Sequence, residues 1–139
     1  DRIRARQETI AGATDLRVRL RGLGPRQTLH LTLMEEDGTS WTAPVAVDTA
    51  WSERTIPLAA FSIGRGVHLP QGFPGEWLYF VDPAEGRGGS ADRPRLDRLE
   101  RLQLSLRREA GVTIAPGSYG VEVECITLGF APVGVPPAR

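Results

Sequence analysis

Apolar and polar positions alternate along most of this chain, and a period of two predicts β-strands rather than helices. In LRVRL, Leu16, Val18 and Leu20 share one face and Arg17 and Arg19 the other, the pattern of a half-buried strand. TLHLTLMEEDG sets Leu29, Leu31 and Leu33 against His30, Thr32 and Met34, and Asp37-Gly38 then supplies a strong turn signal. SWTAPVAVD carries Trp41, Val45 and Val47, and WSERTIPLAAF carries Ile56, Leu58 and Phe61. Pro44 and Pro57 lack an N–H, so each predicts a strand end, a bulge or an edge position.

Between Ser62 and Arg95 the alternation gives way to Gly and Pro, in GVHLPQGFPGEWLYFVDP and then EGRGGSADRPR. Long connections of this composition are loops, and loops of compact domains are frequent binding surfaces. In LDRLERLQLSL, Leu96, Leu99 and Leu102 fit a helical face while Leu102, Leu104 and Leu106 alternate, which predicts a short helical turn leading into a strand. YGVEVECITLGF closes the pattern, with Val121 and Val123, then Ile126 and Leu128, in apolar positions. The phase slips by one residue near Cys125, as a β-bulge requires. No repeat and no long amphipathic helix interrupts the series. Seven or more short strands separated by turns predict an all-β sandwich or barrel.

Composition narrows this reading. The 139 residues suit one domain, taken as residues 1–131, followed by a Pro/Gly-rich tail or linker at 132–139. Seventeen basic residues balance seventeen acidic ones, without the basic excess that phosphate neutralisation calls for, so nucleic acid is not an expected partner. No apolar run approaches the ~20 residues of a spanning helix. With no initiator methionine and no charged-then-apolar leader, the chain reads as a mature or excised piece of a longer product. Its single cysteine, Cys125, excludes an internal disulfide and any multi-cysteine zinc site, and its strand-like setting predicts a small buried apolar residue.

The segments ATDLRVRLRGL, LHLTLMEEDGTSW, the Trp ahead of TIPLAAF, and LERLQLSL leading to YGVEVECITL together resemble the galactose-binding-like jelly rolls. Those domains serve as carbohydrate-binding modules and accessory domains of secreted glycoside hydrolases. The resemblance spans most of the chain and implies a jelly-roll β-sandwich, secreted or held in the periplasm or at the cell surface. It implies a non-catalytic module that holds an attached glycoside hydrolase near a polysaccharide or oligosaccharide. The alternative is a purely structural accessory domain packing against a catalytic domain. No cofactor is implied beyond a structural Ca²⁺, for which Glu124, near the end of the last strand, is the closest match to the family's acidic ligand.

Sugars present apolar C–H faces that stack on exposed rings, while Arg forks and polar side chains take their hydroxyls or carboxylates. Trp77 and Tyr79, in the Pro/Gly-rich loop with His68, are the foremost stacking candidates, although the same rings could plug the end of the sandwich. Trp41, after the Asp37-Gly38 turn, is open between core and surface, and Arg87 in EGRGG is a candidate fork. Trp51, just before an apolar strand, reads as a buried framework residue. HExxH, P-loop, GxSxG and CxxC signatures are absent, so no complete catalytic constellation is visible. Glu35-Glu36-Asp37 sits at a hairpin turn, where acidic residues are ordinarily solvated. Glu122 and Glu124, facing the Arg17 and Arg19 side, suggest cross-strand ion pairs.

Overall fold

A computed structural model of the chain describes residues 2–68, 79–106, 113 and 116–132. Among the described residues are an α-helix, α1 (Arg2–Ala11), and nine strands: β1 (Ala13–Leu23), β2 (Gln27–Glu35), β3 (Ser40–Val47), β4 (Ser52–Pro57), β5 (Ser62–Gly64), β6 (Gly66–His68), β7 (Tyr79–Val81), β8 (Leu99–Ser105) and β9 (Gly120–Phe130). These form a three-stranded sheet, β4-β1-β9, a four-stranded sheet, β5-β3-β2-β8, and a two-stranded ribbon, β6-β7. All pairings are antiparallel.

The two larger sheets share one core. Leu16, Val18, Leu20 and Ile56 from one sheet pack against Leu29, Leu31, Leu33, Ala43, Val45 and Val47 from the other, with Leu58, Phe61 and Leu96 completing the buried cluster. Alternation therefore does in space what it predicts along the chain, since inward positions bury apolar area worth ~1.5–3 kcal/mol per large side chain. Truncating a fully buried Leu20 or Leu31 removes that burial and leaves a cavity as well.

Each proline is paired on one side only, Pro57 with Asp15 and Pro44 with His30. Pro57 ends β4, an edge strand. Pro44 lies beyond the reach of β5, which pairs only with Ser40, Trp41 and Thr42. The expected bulge is present: β1 pairs Arg19 with Cys125 and then Leu20 with Val123, leaving Glu124 as the extra residue. The segment before β8 forms a single 3₁₀ turn, Leu96–Arg98, as its mixed spacing predicts.

Three features depart from expectation. First, α1 forms from RIRARQETIA, a stretch of good helix formers with no proline or glycine, and Ile10 docks it on the core. Second, His30, Thr32 and Met34 are buried although they sit on the outer face of β2. β2 is central in its sheet, Thr32 and Thr42 share a hydroxyl hydrogen bond of 2.9 Å, and the chain beyond Val81 crosses the hairpin, Ala84 N–H donating to Thr39 Oγ1 at 3.2 Å. Third, Cys125 is exposed rather than buried, because the bulge turns it to the outer face opposite Arg19.

Candidate functional site

Two of the residues singled out from sequence, Trp41 and Arg87, are brought together, but in the interior. Trp41 is 3% exposed, and its indole Nε1 donates to Glu35 Oε1 at 2.8 Å. The Arg87 guanidinium lies over the same indole, 5.6 Å from the ring centroid. Glu35, at the end of β2, is fully buried. Besides Trp41 it accepts from Arg87 Nη1 at 2.7 Å and Nη2 at 3.0 Å, from the Arg95 backbone N–H at 3.0 Å and from Arg95 Nε at 2.6 Å. Glu35 is thus no solvated group of the acidic turn, whereas Glu36 beside it is exposed.

The neighbouring carboxylates extend this node. Asp37 accepts from Arg87 Nη1 at 3.1 Å, from Arg95 Nη2 and from the Thr39 N–H at 2.9 Å within the turn that Gly38 makes at φ +86°. Asp92 accepts from Arg87 Nε at 2.8 Å and from the Gly88 and Arg93 N–H groups at 2.8 and 3.0 Å. All three guanidinium nitrogens of Arg87 are engaged, so its fork is committed to the fold rather than to a ligand.

Electrostatics follow from this geometry. Burial pushes the Glu35 carboxyl up, but the hydrogen bonds from Arg87 and Arg95 outweigh it and hold the group below the ordinary carboxylate range. At Asp37 desolvation is likewise overcome, by the Thr39 and Arg95 bonds, and the carboxyl falls to about 2. Asp92, held first by Arg87, also falls to about 2. Arg87 is raised further above its already high value, chiefly by Glu35. Carboxylates held this firmly ionised are poor proton donors at neutral pH, so the node is a staple between the β2–β3 hairpin and the 83–95 loop.

The loop candidates divide. His68 and Tyr79 are cross-strand partners in the β6–β7 ribbon, which brings the two ends of the Pro/Gly/aromatic segment side by side. Arg65 and Asp82 bracket that ribbon with a two-pronged ion pair, Nε–Oδ1 2.6 Å and Nη2–Oδ2 3.2 Å. Trp77 lies outside the described residues. Glu124 is exposed and ion-paired with Arg19, and among the described residues no group of three or more His, Cys, Asp or Glu is placed to hold a metal ion.

The outer face of the β4-β1-β9 sheet carries a residue that sequence reasoning assigns to the core. Trp51, one position before edge strand β4, is 38% exposed. The guanidinium groups of Arg21 and Arg19 lie 5.0 and 5.8 Å from its ring centroid. Arg21 and Arg19 are in turn paired with Glu122 and Glu124. The register Leu20↔Ser52 explains the placement, since it sets Trp51 beside Arg21 at the sheet's margin. The one signal for this in the sequence is the outward row Arg17, Arg19 and Arg21 in β1, a surface on which a neighbouring indole can lie without entering the core. An indole backed by arginines and bordered by carboxylates combines an apolar stacking plane with hydrogen-bonding groups at its rim.

The chain matches no known protein-family model, and neither the curated proteins nor the solved structures give a significant match.

Proposed function

We propose that this chain is a non-catalytic carbohydrate-binding module of jelly-roll type, secreted or held at the cell surface, that keeps an attached glycoside hydrolase near its polysaccharide. The observation that carries the reading is the exposed Trp51 indole, flanked by Arg19 and Arg21 on a β-sheet face. A sugar ring can stack its C–H face on such a plane while the rim arginines and glutamates take hydroxyls. The Pro/Gly/aromatic loop supplies a second set of contacts in this reading, with Trp77, Tyr79 and His68 as its sugar-facing groups.

The test is affinity electrophoresis through gels containing soluble polysaccharides, run beside thermal melts. Trp51→Ala removes a stacking plane worth ~1–3 kcal/mol by comparison with base stacking, so retardation should weaken about tenfold or more with the melt unchanged. Trp77→Ala tests the loop in the same gels. A wild-type chain that no polysaccharide retards would end the proposal.

A second reading, a structural accessory domain packed on a catalytic domain, draws on a different surface. Val123 and Ile126 pair with core residues Leu20 and Val18, yet remain 39% and 37% exposed, and Leu23 and Phe130, at opposite ends of the β1–β9 pair, are exposed too. Apolar residues at an uncovered sheet edge suit burial by a neighbouring domain. Co-expression with the hydrolase of the same polypeptide, followed by hydrogen exchange of β9, separates the two readings.

A further inference from the structure

Strand β9 lies at an edge of the β4-β1-β9 sheet and is bonded to β1 on one side. An open strand edge presents N–H and C=O groups that template a further strand unless something guards it. At the centre of β9 five successive residues, Val123 to Thr127, are exposed, so this stretch is open to solvent on both faces. The usual guards are absent from residues 121–128, which hold no proline, no lysine and no charge on the inward face. Val121, Val123, Ile126 and Leu128 make up that inward row, opposite Gly22, Leu20, Val18 and Leu16. The outward row is Glu122, Glu124, Cys125 and Thr127, and its two glutamates are neutralised within the sheet by Arg21 and Arg19.

The bulge decides which strand can add there. Antiparallel partners must point to the same face at every rung, and a strict period of two satisfies that in many registers. In β9 the slip leaves Glu124 and Cys125 both outward, so the faces run in, out, in, out from 121 to 124 and in mirror order from 125 to 128. A second copy of β9, laid antiparallel about a two-fold axis between Glu124 and Cys125, therefore matches the first face for face over 121–128. No other self-pairing register does so over that length. Val123 of each copy then lies opposite Ile126 of the other and Val121 opposite Leu128, which joins the two inward apolar rows. Glu122 meets Thr127 and Glu124 meets Cys125, so no glutamate stands directly opposite another. We propose that two copies of this chain pair through β9 in this register, the closed two-fold arrangement common among homodimers. The two three-stranded sheets become one continuous sheet whose outer face carries both Trp51 indoles. The pairing does not rest on the sugar-binding reading. It uses the edge that a catalytic domain covers in the accessory-domain reading, and it needs no such domain.

The experiment is sedimentation equilibrium of the full chain, kept reduced so that Cys125 cannot cross-link two copies. The mass should rise from 15.1 kDa toward twice that value. One added strand makes an interface at the weak end of the usual range, so the rise should be evident by ~1 mM chain. In a mixture of isotope-labelled and unlabelled chains, isotope-filtered nuclear Overhauser spectra should place the Val123 methyl groups of one copy against Ile126 of the other. Ile126→Lys sets a charge on the inward face of the edge and should weaken association about tenfold or more. The measurements on the parent chain decide the matter even if that variant fails to fold. A monomer at every concentration would overturn the proposal. So would a dimer without the Val123–Ile126 contact, or a folded Ile126→Lys chain that associates as tightly as the parent.

Discussion

A buried carboxylate is tolerated only when charge and hydrogen bonds replace the water it loses, and Glu35 meets that condition through Trp41, Arg87 and Arg95. Arg87→Ala should therefore destabilise the fold by ~3 kcal/mol, the usual cost of stranding one partner of a buried pair. Arg98→Ala, which breaks only exposed contacts with Glu36 at 3.4 Å and Asp97 at 3.9 Å, should change stability by well under ~1 kcal/mol. Urea melts of the two variants provide the comparison, and equal losses would deny the node its structural role. The same groups set the acid limb. Asp37 and Asp92 titrate at about 2 in the folded chain against an ordinary 3.8, and Glu35 lies below its ordinary 4.5. Folded-state values below unfolded ones mean that the unfolded chain binds more protons as the solution is acidified. Their stabilisation is complete above the ordinary carboxylate range and is lost as pH falls from about 4 toward about 2. In urea melts over that interval, Arg87→Ala should show a flatter pH dependence than the parent chain; parallel curves would remove the linkage.

Among the elements, the turn from β1 to β2 depends on one glycine. Gly24 adopts φ +118°, and a Cβ there would run into the Ser118 carbonyl, which belongs to the backbone and cannot swing aside. Gly24→Ala should cost ~1–3 kcal/mol through backbone strain, with the approach to β9 disturbed as well. At Gly64 in β5 an added methyl would meet no heavy atom within 4 Å, and φ there is not positive, so Gly64→Ala should be close to neutral. Thermal melts decide, and a tolerated alanine at Gly24 would show that the turn can relax. Elements are also where the sequence is most legible. Pro44 and Pro57 occupy positions with a partner strand on one side only, and the bulge at Glu124 matches the phase slip, because each is a property of a few consecutive residues. Helix α1 escapes the same kind of reading: a short polar helix has little apolar periodicity, and its Ile10 contact forms only once the sandwich exists.

Across the whole chain, two antiparallel sheets over one core predict a far-ultraviolet spectrum dominated by β-structure. A helix content near one third would contradict the architecture. The β class, most of the strands and the inward set of Leu, Val and Ile follow from the order of residues alone, since alternation fixes a side chain's face wherever its partner strand comes from. Alternation does not say whether an outward face meets water, another segment or a counter-charge. Glu35 is buried only because the fold brings Arg87 and Arg95 to it from 52 and 60 residues away. Trp51 lies on the surface beside Arg21 because of the β1–β4 register, and Cys125 faces outward because of the bulge against β1. Folding also joins the ends of the aromatic loop by pairing His68 with Tyr79. Each of these depends on long-range pairing, whose energy comes from groups that have no spacing in common along the chain.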